Sequence, residues 1–400
     1  AATPSRKGEI ESSFMRCHAP RASVTVAAGL GNSPGTRLRH GEGDLADLAR
    51  DGVSCTLCHQ LDDYGLGGPK SFSGLFQVGD DRRIYGPHED VFPRPMMMHT
   101  GYIPGYGEQI LNPGMCGTCH TLFTSAMTAE GEPAGGILPE QTPFLEWRNS
   151  RYSREGRTCQ DCHMSEEGLP AIETAIARTP HGWDFGWAQD RQPFGLHSFV
   201  GANTELPQVL ARLEDELHPL SDADGRAAQV DATQRYLERE TARLILGEPR
   251  IDGRQVTVPV TVESTAGHRF PTGHPSRRAW IRFVVRDAEG RPVFTSGSFD
   301  AMGRLLDRRG DLHESDRPGG PIHPHQDLVT GENQVQVYES VMQDGEGNPT
   351  WLLTRGGSYV KDNRILPEGW DPNHVDAARI GPSGIGNDAD FTGGSDTTRY

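Results

Sequence analysis

Cys55-Thr56-Leu57-Cys58-His59, Cys116-Gly117-Thr118-Cys119-His120 and Cys159-Gln160-Asp161-Cys162-His163 are three copies of one pattern. Two cysteines three positions apart span about one helical turn, so their thiols face the same side. Each thiol can then add to one vinyl group of a single haem, and the next histidine sits under the iron as proximal ligand. Zinc pairs do not demand a histidine directly after the second cysteine. No disulfide scheme explains three adjacent histidines either. We therefore read Cys55, Cys58, Cys116, Cys119, Cys159 and Cys162 as haem thioethers, with His59, His120 and His163 as proximal ligands.

The seventh cysteine stands in Phe14-Met15-Arg16-Cys17-His18, the same pentapeptide with phenylalanine in the first cysteine position. We read it as a fourth haem site, held by one thioether through Cys17 with His18 as proximal ligand. The alternative is a free or intermolecular thiol that happens to precede a histidine. The expected cofactor is thus haem c, in four copies.

Twelve of the 16 histidines remain after the proximal ones. Electron-transfer irons favour six-coordinate, low-spin states, and two imidazoles supply that. His40, His99, His197 and His268 are the candidate distal ligands. His197 follows the third motif, in Leu196-His197-Ser198-Phe199-Val200-Gly201. His268 lies in a Gly- and Pro-bounded turn, Gly267-His268-Arg269-Phe270-Pro271-Thr272-Gly273. For each the alternative is a hydrogen-bonded or surface histidine. Met96 to Met98 and His88 are rival ligands near His99.

Composition points the same way. Hydrophobic residues make up 34%, with 49 glycines and 29 prolines, so turns abound and bound cofactors would supply the missing apolar interior. A net charge of −16 argues against nucleic acid and anionic membrane surfaces as partners, and no stretch is long and apolar enough to span a bilayer. The three motifs resemble those of c-type cytochromes, and that resemblance implies haem attachment outside the cytoplasm, hence a periplasmic, extracellular or cell-surface location after removal of a signal peptide.

We expect a mixed fold in three parts. Residues 1–205 form a multihaem domain, rich in loops and short helices, with helices at Gly43 to Arg50 and Phe144 to Ser153. Residues 206–247 form a helical hairpin linker, with helices at Gln208 to Leu217 and Ala227 to Leu246. Residues 248–400 form an antiparallel β-sandwich, because the hydrophobic period changes to two at Val256 to Val262 and Ala279 to Val285. Beyond Gly381 a polar, Gly-rich tail is expected to be exposed or laid over a partner.

With these segments in hand, the chain resembles the multihaem c-type cytochromes of bacteria that exchange electrons outside the cell. The three motifs carry the likeness, with Pro139 to Trp147, His197 to Gly201, Gly267 to Gly273, Pro275 to Arg278 and Lys361 to Pro367. The resemblance implies bis-histidine haems, electron transfer and secretion. It also implies redox proteins or extracellular acceptors as partners, and in some relatives a homopolymeric filament. Phe14 departs from the pattern. The expected role is an electron carrier rather than an enzyme. The competing reading is a multihaem reductase or oxidase of a small nitrogen or sulfur compound, which needs one open iron.

Overall fold

The computed structural model describes residues 4–30, 43–79, 81–164, 181–183, 195–391 and 393–400. Every haem-attachment pattern lies on a helical turn. Cys17 and His18 end the helix Lys7–His18, and the other patterns begin within Cys55–Cys58, Gly114–Gly117 and Cys159–His163. Helices Lys7–His18, Pro20–Ala27 and Asp44–Arg50 close around Met15, Ala19, Ala22 and Ala49. Pro20 opens its helix at a position where a missing N–H costs nothing.

The first half also holds strands that the sequence pattern does not announce. Leu122–Met127 pairs antiparallel with Pro133–Gln141, and Arg83–Gly86 pairs parallel with Ile103–Tyr106. The expected helix from Phe144 to Ser153 is two helices, Pro143–Arg148 and Arg151–Arg154. It breaks at Asn149, a fully buried residue. The Asn149 amide donates to the Asp371 carbonyl at 2.9 Å and accepts the Asp371 N–H at 3.0 Å, so this side chain acts as a splice to the distant segment.

Helices Glu205–Arg212 and Ala223–Glu240 pack together. The helix expected to run on to Leu246 ends at Glu240. Ala242–Leu246 is instead a strand, antiparallel to Pro259–Ser264. Helical spacing in Arg243-Leu244-Ile245-Leu246 loses to an available ladder partner.

Pro259–Ser264 is the centre of a three-stranded sheet, with Ala242–Leu246 on one side and Ser395–Arg399 on the other. A second sheet is built on Val337–Gln343, which pairs with Arg278–Trp280, Pro349–Thr350 and Ser358–Asp362. Phe283–Arg286 and Pro292–Ser296 form a hairpin. The tail beyond Gly381 is part of the core: Phe391 is 1% exposed, and Asp396 and Thr398 face inward from the last strand. Its polar residues alternate with solvent-facing ones, a strand pattern hidden by the surrounding glycines.

Side chains of 139–154 are bound to the last third of the chain. Arg148 makes a bidentate pair with Asp376, both bonds 2.7 Å. Tyr152 donates to the Thr265 carbonyl at 2.9 Å, and Tyr359 to the Pro139 carbonyl at 3.0 Å. Replacing Phe391 with alanine should cost about 3–5 kcal/mol, read as a lower denaturation midpoint with an unchanged slope. An unmoved midpoint would show that the tail is dispensable.

Candidate functional site

Each motif is seated by its own local chemistry. In the third, Thr158 caps the helix: Asp161 N–H donates to Thr158 Oγ1 at 3.4 Å, and Thr158 N–H donates to Asp161 Oδ2 at 2.7 Å. This reciprocal capping box fixes the turn between the two cysteines. In the second, Thr118 is buried and its hydroxyl donates to the Ser71 carbonyl at 2.5 Å. A Cβ on Gly117 would stand 2.7 Å from the Phe144 ring, so the turn lies flat against that ring only because the residue is glycine.

The motifs are distant in sequence and adjacent in space. The side chains of Cys17 and Cys119 interact, which as free thiols lowers the pKa of Cys17 and raises that of Cys119. The Cys159 thiol stands in the same relation to Cys116. Burial pushes Cys58 up to about 11, helped by the nearby charges of Cys116 and Cys55. Cys17, Cys58 and Cys159 thus each interact with a cysteine of the 116–120 motif.

The histidines carry the clearest metric information. The ring of His59 stands 6.1 Å from that of His197, centroid to centroid. His163 stands 6.1 Å from His268, with the planes only 11° apart. Stacked rings can come closer, as Phe14 and His18 do at 3.9 Å, while edge-on contacts such as Phe72 with Phe144 also reach 6.1 Å. Two imidazoles sharing one metal ion through bonds of about 2.0 Å place their centroids about 6 Å apart. Both pairs have that spacing.

The ring nitrogens are oriented to match. His59 Nδ1 lies 2.6 Å from the Tyr85 carbonyl, and His163 Nδ1 lies 2.6 Å from the Val200 carbonyl. His268 Nδ1 lies 3.0 Å from the Arg269 carbonyl. A carbonyl only accepts, so each Nδ1 carries the proton and each Nε2 keeps its lone pair for a metal. Burial lowers the pKa of His197 and of His268, each helped by the facing imidazole. His120 is held down to about 4, by desolvation first and then by the positive charges of His163, His268, Arg277 and His18. Neutral imidazole is the ligand form, and these surroundings favour it. The donor set, the tautomers and the spacing all fit haem: the cysteines would hold its edge and the histidine pairs its iron, supplying a one-electron centre.

Of the remaining expected ligands, His40 lies outside the described residues. His99 is exposed on the helix Arg94–Thr100, beside exposed Met96, Met97 and Met98. His18 stacks on Phe14, the residue that replaces a cysteine. Sequence reading missed the carbonyl tethers at Tyr85 and Val200, because main-chain acceptors leave no residue signature. It also missed Glu146 and Arg269, discussed below, although both lie in the segments that carry the family resemblance.

A separate group, His325 with Asp388 and Asp396, has metal-like proximity but the wrong proton. The amides of Gln336 and Asn363 each donate to His325 Nδ1 at 3.0 Å. Their orientation is fixed, since Gln336 Oε1 accepts from Gln326 N–H at 2.8 Å and Asn363 Oδ1 from Glu339 N–H at 2.9 Å. The ring proton is therefore on Nε2, which donates to Asp388 at 2.8 Å. This network ties down the tail.

His197→Ala should turn one haem from low-spin to high-spin and let it bind cyanide, as read by electron paramagnetic resonance and optical spectra. An unchanged low-spin count would break the His59–His197 pairing.

No protein-family model matches the chain, and a search of curated proteins finds no match. The fold is similar to that of a penta-heme cytochrome c552 from Thermochromatium tepidum, with a TM-score of 0.50 and 16% sequence identity, over 96% of this chain and 71% of that one.

Proposed function

We propose that this chain is a multihaem c-type cytochrome that carries electrons outside the cytoplasm. The observation that carries the reading is the pair of facing imidazoles, His59 with His197 and His163 with His268, each 6.1 Å apart. When bound, haem supplies an iron that cycles between ferric and ferrous without binding substrate.

The chain's own residues hold the ligands still. The carbonyls of Tyr85, Val200 and Arg269 fix three ring orientations. The contacts Cys17–Cys119 and Cys116–Cys159 bring neighbouring sites within direct reach, which suits transfer from one site to the next. We assign four haems, the one at Cys17 held by a single thioether. Bis-histidine ligation and a place outside the cytoplasm follow from the same reading. The likeness of the fold to a penta-heme cytochrome supports it. Assembly into a filament is a further possibility within this proposal, tested by electron microscopy of the secreted protein.

Mass spectrometry of the mature chain should find four haems, and Cys17→Ser should carry three. Three in both would remove the first site. Spectra of the oxidised protein should be low-spin throughout and indifferent to nitrite or cyanide. A high-spin iron that binds either would favour the reductase reading.

A further inference from the structure

A buried charge network stands directly behind His268. Glu146 is 0% exposed, and it lies on the helix Pro143–Arg148 next to the second motif. Its Oε2 accepts the backbone N–H of Arg269 at 3.1 Å and the Thr272 hydroxyl at 2.5 Å. Its Oε1 accepts the Thr142 hydroxyl at 3.2 Å and lies 3.9 Å from the Arg364 guanidinium. Arg269, 1% exposed, donates to Asp362 and to the Ile380 carbonyl. Arg364 donates twice to Asp362, both bonds 2.8 Å.

These four groups, two acids and two guanidiniums, balance in charge. Their hydrogen bonds clamp the peptide at both ends of His268-Arg269-Phe270-Pro271-Thr272. The Arg269 carbonyl within that segment is the acceptor that orients the His268 ring. A carboxylate in this place does two things that a neutral acceptor would not. It fixes the loop through two donors at once, and its charge balances the second guanidinium, so that losing it would leave a net positive charge in a low-dielectric region beside the ligand.

We propose that Glu146 is a positioning residue for the His163–His268 pair: it holds His268 at ligating distance, and its charge lowers the reduction potential of the iron between them. This rests on the haem reading of that pair. Removing a negative charge near an iron destabilises the ferric state, so the potential must rise. Removing the acceptor as well frees the loop that presents His268.

The test uses the full haem-loaded protein and compares Glu146→Gln, Glu146→Ala and Thr272→Val with His268→Ala. Haem content by mass comes first, followed by potentiometric titration and electron paramagnetic resonance. Glu146→Gln should keep every haem low-spin and move one midpoint potential upward, leaving the others in place. Glu146→Ala should produce one high-spin haem, as His268→Ala does. Thr272→Val should alter the low-spin signal of that same haem without losing it. If Glu146→Ala does not fold, the glutamine and valine variants decide, because both keep the volume of the site. Unmoved potentials in Glu146→Gln with unchanged signals in Thr272→Val would overturn the proposal. If His268→Ala itself leaves every haem low-spin, the axial pairing is wrong, and the failure belongs to the haem reading rather than to Glu146.

Discussion

The burial of Glu146 with Arg269, Asp362 and Arg364 is the constraint on which the molecule turns. Charges are removed from water only at a cost of several kcal/mol each, and that cost is offset only when partners are close and hydrogen bonds are complete. Here the partners come from three separate stretches of sequence, and none can be satisfied alone. Glu146 comes from the half that carries the Cys-x-x-Cys-His motifs, Arg269 from the turn after the central strand, and Asp362 and Arg364 from the end of a strand in the second sheet. The ion pair of Arg148 with Asp376 and the splice of Asn149 to Asp371 run alongside. The motif half and the sheet half are therefore folded onto each other by electrostatics as much as by apolar contact.

This arrangement accounts for a chain with so few hydrophobic residues. Its apolar residues fall into four clusters: one under the sheets around Tyr338 and Phe391, one around Phe144 and Leu145 that shares Trp370 with the first, one around Met15, and one around Leu305 and Val337. Polar joints connect them. The fold is specified by which donor meets which acceptor, so it tolerates a loop-rich backbone with abundant glycine and proline.

The attachment motifs were legible because covalent chemistry imposes a spacing that nothing else imposes. Two of the candidate distal residues, His197 and His268, face His59 and His163 at 6.1 Å, and each sits in a short turn-bounded segment that stands out in the sequence. His99 stood out equally and lies exposed, since a histidine beside prolines and methionines has the same one-dimensional pattern in either case. The strand Ala242–Leu246 looks like a continuation of the preceding helix because its run Leu244-Ile245-Leu246 is uniformly apolar and shows neither period, and only the partner strand Pro259–Ser264 decides it. The tail was read as exposed because Phe391 and Tyr400 are isolated among small polar residues. Their burial depends on a ladder with residues far away in sequence.

The carbonyl tethers on His59, His163 and His268 bear on speed. A change of charge at a metal normally drags its ligands to new equilibrium positions, and that nuclear rearrangement sets the barrier to each transfer. Here the rings of His59, His163 and His268 are each tethered to a main-chain oxygen, so as ligands they would be oriented before a metal arrives. A ring set in place during folding would leave the polypeptide less to rearrange at each electron transfer.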